Sequence, residues 1–213
     1  PDSLFITDLQ EKFQTAGIEV ENSNLGQLPE TTWFHYPSDY LGDIVHSLNV
    51  RSDNLYAESV LRLLSLSAHE KGSAEKGIDI IRKYWQNYEA DSLELFMYDG
   101  SGLARNNKVS AKYLNCVLKE TARDSLIGEY FVQTLPLAGK EGSVATFMKH
   151  GELPGELRLK SGSMSDVHAY AGYYTTPQNR YAIVVMINNY TCTRAQLKQK
   201  ISTLLTQVLS KKE

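Results

Sequence analysis

The chain has 213 residues, of which 42% are hydrophobic and 22% charged, and this composition suits a folded protein with one sizeable core. Its formal net charge of -3 excludes the concentrated basic surface with which proteins bind nucleic acid. No apolar run is long enough to span a bilayer, and the first residues lack the basic and apolar regions of a signal peptide. We therefore expect a soluble chain, with any signal peptide or membrane anchor outside it.

Apolar periodicity predicts helices along most of the chain. They are expected at residues 3–17, 39–50, 52–69, 74–88 and 110–123, the first of them ending near Gly17. An aromatic strand-like piece at 31–36 follows the first helix. A short strand candidate at 93–97 runs into the turn that begins at Asp99.

The strands cluster near the C-terminus. They are predicted at 156–164, 167–175 and 180–188, the last two joined as a hairpin across 176–179. A final helix begins at Thr193, which forms a capping box with Gln196. Its buried stripe is predicted to comprise Leu197, Ile201, Leu204, Leu205 and Val208. The sequence has no repeat or linker, so residues 1–213 are predicted to form part of one domain, of the α/β (α+β) class with an antiparallel sheet flanked by helices.

Neither a metal nor another cofactor is predicted. Cys116 and Cys192 form no Cys-x-x-Cys pair and have no histidine at metal-ligand spacing. The five histidines show no such spacing either, and for His168, which follows Lys160 near an expected cleft rim, a packed or exposed role is the ordinary interpretation.

Two short motifs attract attention, although each has an ordinary structural explanation. Ser52-Asp53-Asn54 opens an apolar helix, where such residues are common caps. Lys160-Ser161-Gly162-Ser163 lies on a predicted strand, where a lysine can serve only to prevent an exposed strand edge from pairing with another chain. The loop Asp99-Gly100-Ser101-Gly102 is first of all a turn that Asp99 is expected to tie through its own side chain.

A nucleophile motif of the Ser-x-x-Lys type occurs once, at Ser73–Lys76, and it follows Ser52-Asp53-Asn54 instead of preceding it. Gly72-Ser73 precedes an amphipathic helix, so Ser73 is predicted to be a helix cap.

The motifs together resemble the C-terminal portion of the class C low-molecular-mass penicillin-binding proteins, which are serine-type D-alanyl-D-alanine carboxypeptidases and endopeptidases. The resemblance covers nearly all of the chain and keeps the family's order. Its blocks are Asp43–Glu58 with Ser52-Asp53-Asn54, Asp99–Arg105, Leu135–Gly139 with Gly142-Ser143, and Lys160–Ser163. Ser161 stands where threonine is commoner, which keeps the hydroxyl.

The resemblance implies a β-lactamase/transpeptidase-like fold, incomplete on its N-terminal side, and an acyl-enzyme reaction on peptidoglycan stem peptides. It implies catalytic roles for Ser52 and Asn54, which relay a proton and contact the substrate amide, and for Lys160, which supplies positive potential. Substrate-binding roles fall to Ser161 and Ser163 at the terminal carboxylate, to Gly162 beside the peptide and to Arg105 as a clamp for a stem-peptide carboxylate. The backbone N–H of Ser163 is the expected half of an oxyanion hole.

The resemblance also implies the partners and the place of action. These are peptidoglycan and β-lactams, in the periplasm or elsewhere outside the cytoplasm. The nucleophile is expected in sequence upstream of Pro1, so this chain alone is expected to be inactive. Other functions stay open: a muropeptide-binding or scaffolding module without a nucleophile, half of an enzyme completed by a second polypeptide, or a β-lactam hydrolase. The last strand, 180–188, is expected to be an unpaired apolar edge that binds a complementing N-terminal fragment or self-associates.

Overall fold

The computed structural model describes residues 2–19, 37–68, 71–88, 94–149 and 152–211. The chain divides into two compact units, residues 1–38 and 39–213, and the single domain stays a prediction. The first unit contains helix α1, Asp2–Thr15, which carries an ion pair between Lys12 and Asp8 with 3.1 Å between nitrogen and oxygen. The predicted strand-like piece at 31–36 lies outside the described residues. Among the described helices, none has the length and apolar character needed to cross a membrane.

The second unit contains the remaining six α-helices of the described residues, and five of them lie where the sequence predicts. Their bounds are α2 Leu41–Arg51, α3 Asn54–Ser67, α4 Ala74–Trp85, α5 Ala111–Arg123, α6 Gly128–Thr134 and α7 Arg194–Leu209. Ser73 caps α4 by accepting a hydrogen bond from the Lys76 N–H, and the capping box of Thr193 and Gln196 starts α7. The sequence does not predict α6, because its seven residues are too few to show a helical period of apolar residues.

Three antiparallel strands form the main sheet, in the order β3-β4-β5. We number the strands from a small outlying pair, β1 Leu95–Phe96 and β2 Lys108–Val109, to which the predicted strand at 93–97 contributes only its middle. The main strands are β3 Glu156–Met164, β4 Val167–Thr175 and β5 Arg180–Asn188. All three have the predicted bounds, because alternating apolar residues and short polar turns define them locally.

Both faces of the sheet are covered by helices. On one face Leu159, Tyr170 and Tyr174 pack with α7, and on the other Tyr173 packs with Leu118 of α5 and residues of α6. This layered arrangement confirms the predicted antiparallel sheet flanked by helices.

The buried stripe of α7 differs from the prediction. Leu197, Ile201, Leu205 and Leu209 are buried, whereas Leu204 and Val208 are 53% and 48% exposed. The buried residues are spaced by four, so they form a single i±4 row, which is inclined to the helix axis. Leu204 and Val208 lie outside this row, and their side chains therefore stay exposed.

Candidate active site

Ser52 lies at the junction of α2 and α3. It does not open α3 as the sequence suggested, because it is the C-cap of α2, with φ 55° and ψ 47° in the left-handed region. Asp53 is the N-cap of α3, where its carboxylate accepts the Tyr56 N–H at 3.0 Å. Asn54 is then the first helical residue. This tight junction leaves the side chain of Ser52 exposed, and both Ser52 and Asn54 line one cleft.

Lys160 reaches Ser52 from the β3 strand, 108 residues further along the chain. Its Nζ donates a hydrogen bond to Ser52 Oγ at 2.5 Å and another to the backbone oxygen of Ser161 at 3.0 Å. Burial lowers the pKa of Lys160 below its usual value. No ion pair to Lys160 is found among the residues that the structure describes. The ammonium therefore supplies positive potential that no protein carboxylate there neutralises.

The outer edge of β3 presents the backbone N–H groups of Ser161 and Ser163 to the cleft. The Leu159 N–H donates to the carbonyl of Pro136, and the Leu157 carbonyl accepts from the Ala138 N–H, so these residues point their backbone groups away from β4. Because this direction alternates with period two, the N–H groups of Ser161 and Ser163 point to the same outer edge. This is the orientation that an oxyanion donor on this strand needs.

Two hydroxyls and a glycine stand along this edge. Ser161 Oγ lies 2.8 Å from the Oγ of Ser143, which belongs to a 3-10 turn at Gly142–Val144. Ser163 Oγ lies 3.2 Å from Nδ1 of His168 on β4. A Cβ built on Gly162 would meet no atom within 4 Å, so this position opens onto free space. A ligand can lie against the strand at Gly162.

The loop from Asp99 forms another wall of the cleft, and two carboxylates hold its backbone in place. Asp99 accepts the N–H groups of Gly102 at 2.8 Å and Ala104 at 2.6 Å, which confirms the predicted side-chain tie. Glu58 of α3 accepts the N–H groups of Gly100 at 3.0 Å and of the next residue at 2.9 Å. The same helix that starts at Asn54 thus holds the opposite wall in place.

The cleft has a volume of about 550 Å³ and brings most of the predicted site residues together. Its lining includes Ser52, Asn54, Lys160, Ser161, Gly162 and Ser163.

Arg105 is not among the lining residues. It is exposed, at a turn closed by the Asn107 N–H and the carbonyl of Ala104, so its clamp role stays a prediction. Among the described residues, no group of three or more His, Cys, Asp or Glu side chains could hold a metal ion.

Three residues that support the cleft have no site role in the prediction from sequence. These are Glu58, Ser143 and His168. Ser143 and Glu58 lie within the motif blocks that carry the family resemblance, and that position is the signal that could have identified them. His168 could have been found by treating Ser165-Asp166 as a two-residue hairpin loop, because this register places residues 163 and 168 directly opposite each other.

A model of the D-Ala-D-Ala carboxypeptidase 3 (S13) family matches residues 1–211 of this chain. The chain belongs to this family. Three curated relatives are a D-alanyl-D-alanine carboxypeptidase DacB of Haemophilus influenzae, a D-alanyl-D-alanine carboxypeptidase of Actinomadura sp. and a penicillin-sensitive carboxypeptidase A of Dictyostelium discoideum. They are 27%, 25% and 24% identical to it over 92%, 85% and 81% of this chain.

The chain spans only 42%, 36% and 34% of the lengths of these S13 relatives. The fold also matches a crystal structure of penicillin binding protein 4 (dacB) from Haemophilus influenzae complexed with a β-lactam. The TM-score is 0.73 at 24% identity, and the match covers 94% of this chain and 49% of the other. This likeness shows that the S13 chain has the penicillin-binding transpeptidase-like fold.

Proposed function

We propose that this chain is the C-terminal portion of a serine-type D-Ala-D-Ala carboxypeptidase that acts on peptidoglycan stem peptides through an acyl-enzyme, in the periplasm or elsewhere outside the cytoplasm. Endopeptidase action on the same peptides is the related form of this chemistry. The observation that carries the proposal is the hydrogen bond of 2.5 Å between Lys160 Nζ and Ser52 Oγ, in a cleft beside the strand edge of Ser161 and Ser163. Family membership and the DacB relatives support it.

Substrate binding would use the edge of β3. A peptide that lies along Gly162 as an added strand would bring its terminal carboxylate to the hydroxyls of Ser161 and Ser163. Lys160 would attract the same carboxylate, because the two groups that accept hydrogen bonds from its ammonium are both uncharged. Arg105, from the loop after Leu103, would reach a stem-peptide carboxylate only by extending from its exposed turn.

Proton transfer would use Ser52. Its hydroxyl, held by the Lys160 ammonium, can pass a proton toward the leaving amine, while the Asn54 amide binds the substrate backbone. The Ser163 N–H would stabilise the oxyanion of the tetrahedral intermediate. None of these groups is the attacking serine, and the serine of Ser73–Lys76 caps α4. We therefore assign the nucleophile to a Ser-x-x-Lys segment outside this sequence, on the N-terminal side, with β-lactams as covalent inhibitors of it.

The test uses the complete protein that contains this chain. It should release D-alanine from a stem pentapeptide, and mass spectrometry should locate a bound penicillin on a serine outside residues 1–213. Ser52→Ala should slow acylation and D-alanine release together, whereas Ser67→Ala, at an exposed serine near the end of α3, should change neither. Peptide binding without release would favour a non-catalytic muropeptide-binding module, and rapid turnover of penicillin would favour a β-lactam hydrolase.

A further inference from the structure

His168 lies directly across the sheet from Ser163. The register of β3 and β4 pairs the two residues. The backbone groups at odd-numbered positions of β3 point away from β4, so Ser163 and His168 form a non-hydrogen-bonded pair. Side chains approach most closely in such pairs. The result is the separation of 3.2 Å between His168 Nδ1 and Ser163 Oγ.

The imidazole of His168 is held in one orientation. The residue is 3% exposed, and its ring packs edge-on against Tyr170, with centroids 4.8 Å apart and planes at 84°. Tyr170 in turn stacks on Phe147 at 4.1 Å. The ring therefore cannot turn away from Ser163 without repacking buried aromatic side chains.

The second nitrogen of this ring has a different environment. Nε2 of His168 is buried and has no hydrogen-bond partner within the described part of the chain. Burial, together with the positive charges of Lys198 and Arg194 on α7, lowers the pKa of His168. The imidazole is therefore neutral at neutral pH, with a single proton that occupies one nitrogen or the other.

The surroundings favour the proton on Nδ1. A proton on Nε2 would be a buried N–H without an acceptor in the described part of the chain, which is unfavourable. The alternative buries only a lone pair at Nε2 instead of a polar N–H. With its proton on Nδ1, the ring can donate a hydrogen bond to Ser163 Oγ.

We propose that His168 is a positioning residue that donates its Nδ1 proton to Ser163 Oγ and thereby keeps the Ser163 hydroxyl proton free for the carboxylate of the substrate. A hydroxyl has one proton and two acceptor lone pairs. If His168 accepted that proton, Ser163 would present only lone pairs to an anion, which repels them. The carboxylate half of the proposal rests on the proposed function, and the tautomer half does not.

The first experiment measures the tautomer in the unmodified protein. Long-range ¹H–¹⁵N correlation spectra of the ¹⁵N-histidine-labelled protein at neutral pH should show His168 with a protonated Nδ1 and an unprotonated Nε2. A protonated Nε2, or an imidazolium, would overturn the proposal whether or not the protein is an enzyme. Because no substitution is involved, a variant that fails to fold cannot obscure the result.

The second experiment measures the consequence for binding in the complete protein. His168→Phe keeps a ring but removes the donor, and it should raise KM for a peptide ending in D-Ala-D-Ala by about tenfold, the order expected for one lost hydrogen bond, with a smaller change in kcat. His168→Asn, which can offer an amide N–H, should recover part of the loss. For the corresponding ester, which has no terminal carboxylate, His168→Phe should cost almost nothing.

A double-mutant cycle with Ser163→Ala completes the test. If His168 acts through Ser163, His168→Phe adds no further loss once the hydroxyl is gone. Equal losses on acid and ester, or full additivity in the cycle, would refute the positioning role. A protonated Nδ1 in a protein that never releases D-alanine would instead refute the proposed function and leave the assignment of the donor standing.

Discussion

Replacing Lys160 by methionine should separate activity from stability. The Nζ atom lies 3.0 Å from the backbone oxygen of Ser161, and for a carboxylate bound at the Ser161 hydroxyl we take a separation of roughly 5 Å from the ammonium. At an effective dielectric constant of about 20, the attraction between these charges is about 3 kcal/mol, which corresponds to a factor of roughly 150. We expect the rate constant for acylation of the complete protein by a fluorescent penicillin, which carries this carboxylate, to fall by about this factor.

The stability of the same variant should not fall. Burial lowers the pKa of Lys160 from its usual 10.5, which means that the folded state holds this proton less tightly than the unfolded state does. The cost of burying the charge is fully present below the folded pKa and falls as the pH rises from the folded pKa to the unfolded pKa. Methionine has no charge to bury, so Lys160→Met should leave the free energy of unfolding at pH 7 unchanged or raise it. The difference in free energy of unfolding between Lys160→Met and the native protein should become smaller at alkaline pH.

Urea unfolding at pH 7 and in alkaline buffer, combined with acylation kinetics, measures both effects. Lys119→Met, at an exposed lysine of α5, is the matched control and should alter neither quantity. Acylation of Lys160→Met at the native rate would refute the electrostatic role. A parallel loss of stability and activity would show that the lysine acts by holding the fold together.

Three further outcomes are expected. The 213-residue chain by itself should not be labelled covalently by a fluorescent penicillin, and labelling at Ser73 would show that the nucleophile has been misassigned. Glu58→Ala should lower the free energy of unfolding by about 1–3 kcal/mol, because two loop N–H groups lose their acceptor, whereas Glu58→Gln, which keeps an acceptor oxygen, should lose less in urea titrations. The β5 strand pairs only with β4 within the described residues, so light scattering should show self-association at high concentration, or a bound complementing fragment; a clean 24.0 kDa monomer would contradict this.

The local chemistry of the sequence determined much of this structure. The strands β3, β4 and β5 follow from alternating apolar residues between short polar turns, and their bounds agree with the prediction. The caps at Ser73 and Thr193 and the tie at Asp99 also follow, because each depends on residues within five positions. The order of the motifs predicted the family, which the comparison confirms.

Only the tertiary structure decided features that join distant residues. The contact of Lys160 with Ser52 spans 108 residues, and no local pattern specifies a distance across such a separation. The exposure of Leu204 depends on which row of α7 residues packs against the core. The type and position of His168 can be read from the sequence, but only the structure shows that its ring packs edge-on against Tyr170 and that burial and the charges of Lys198 and Arg194 lower its pKa. Burial and electrostatic environment are properties of the assembled chain, which is why the sequence alone does not identify His168 as the proposed donor to Ser163.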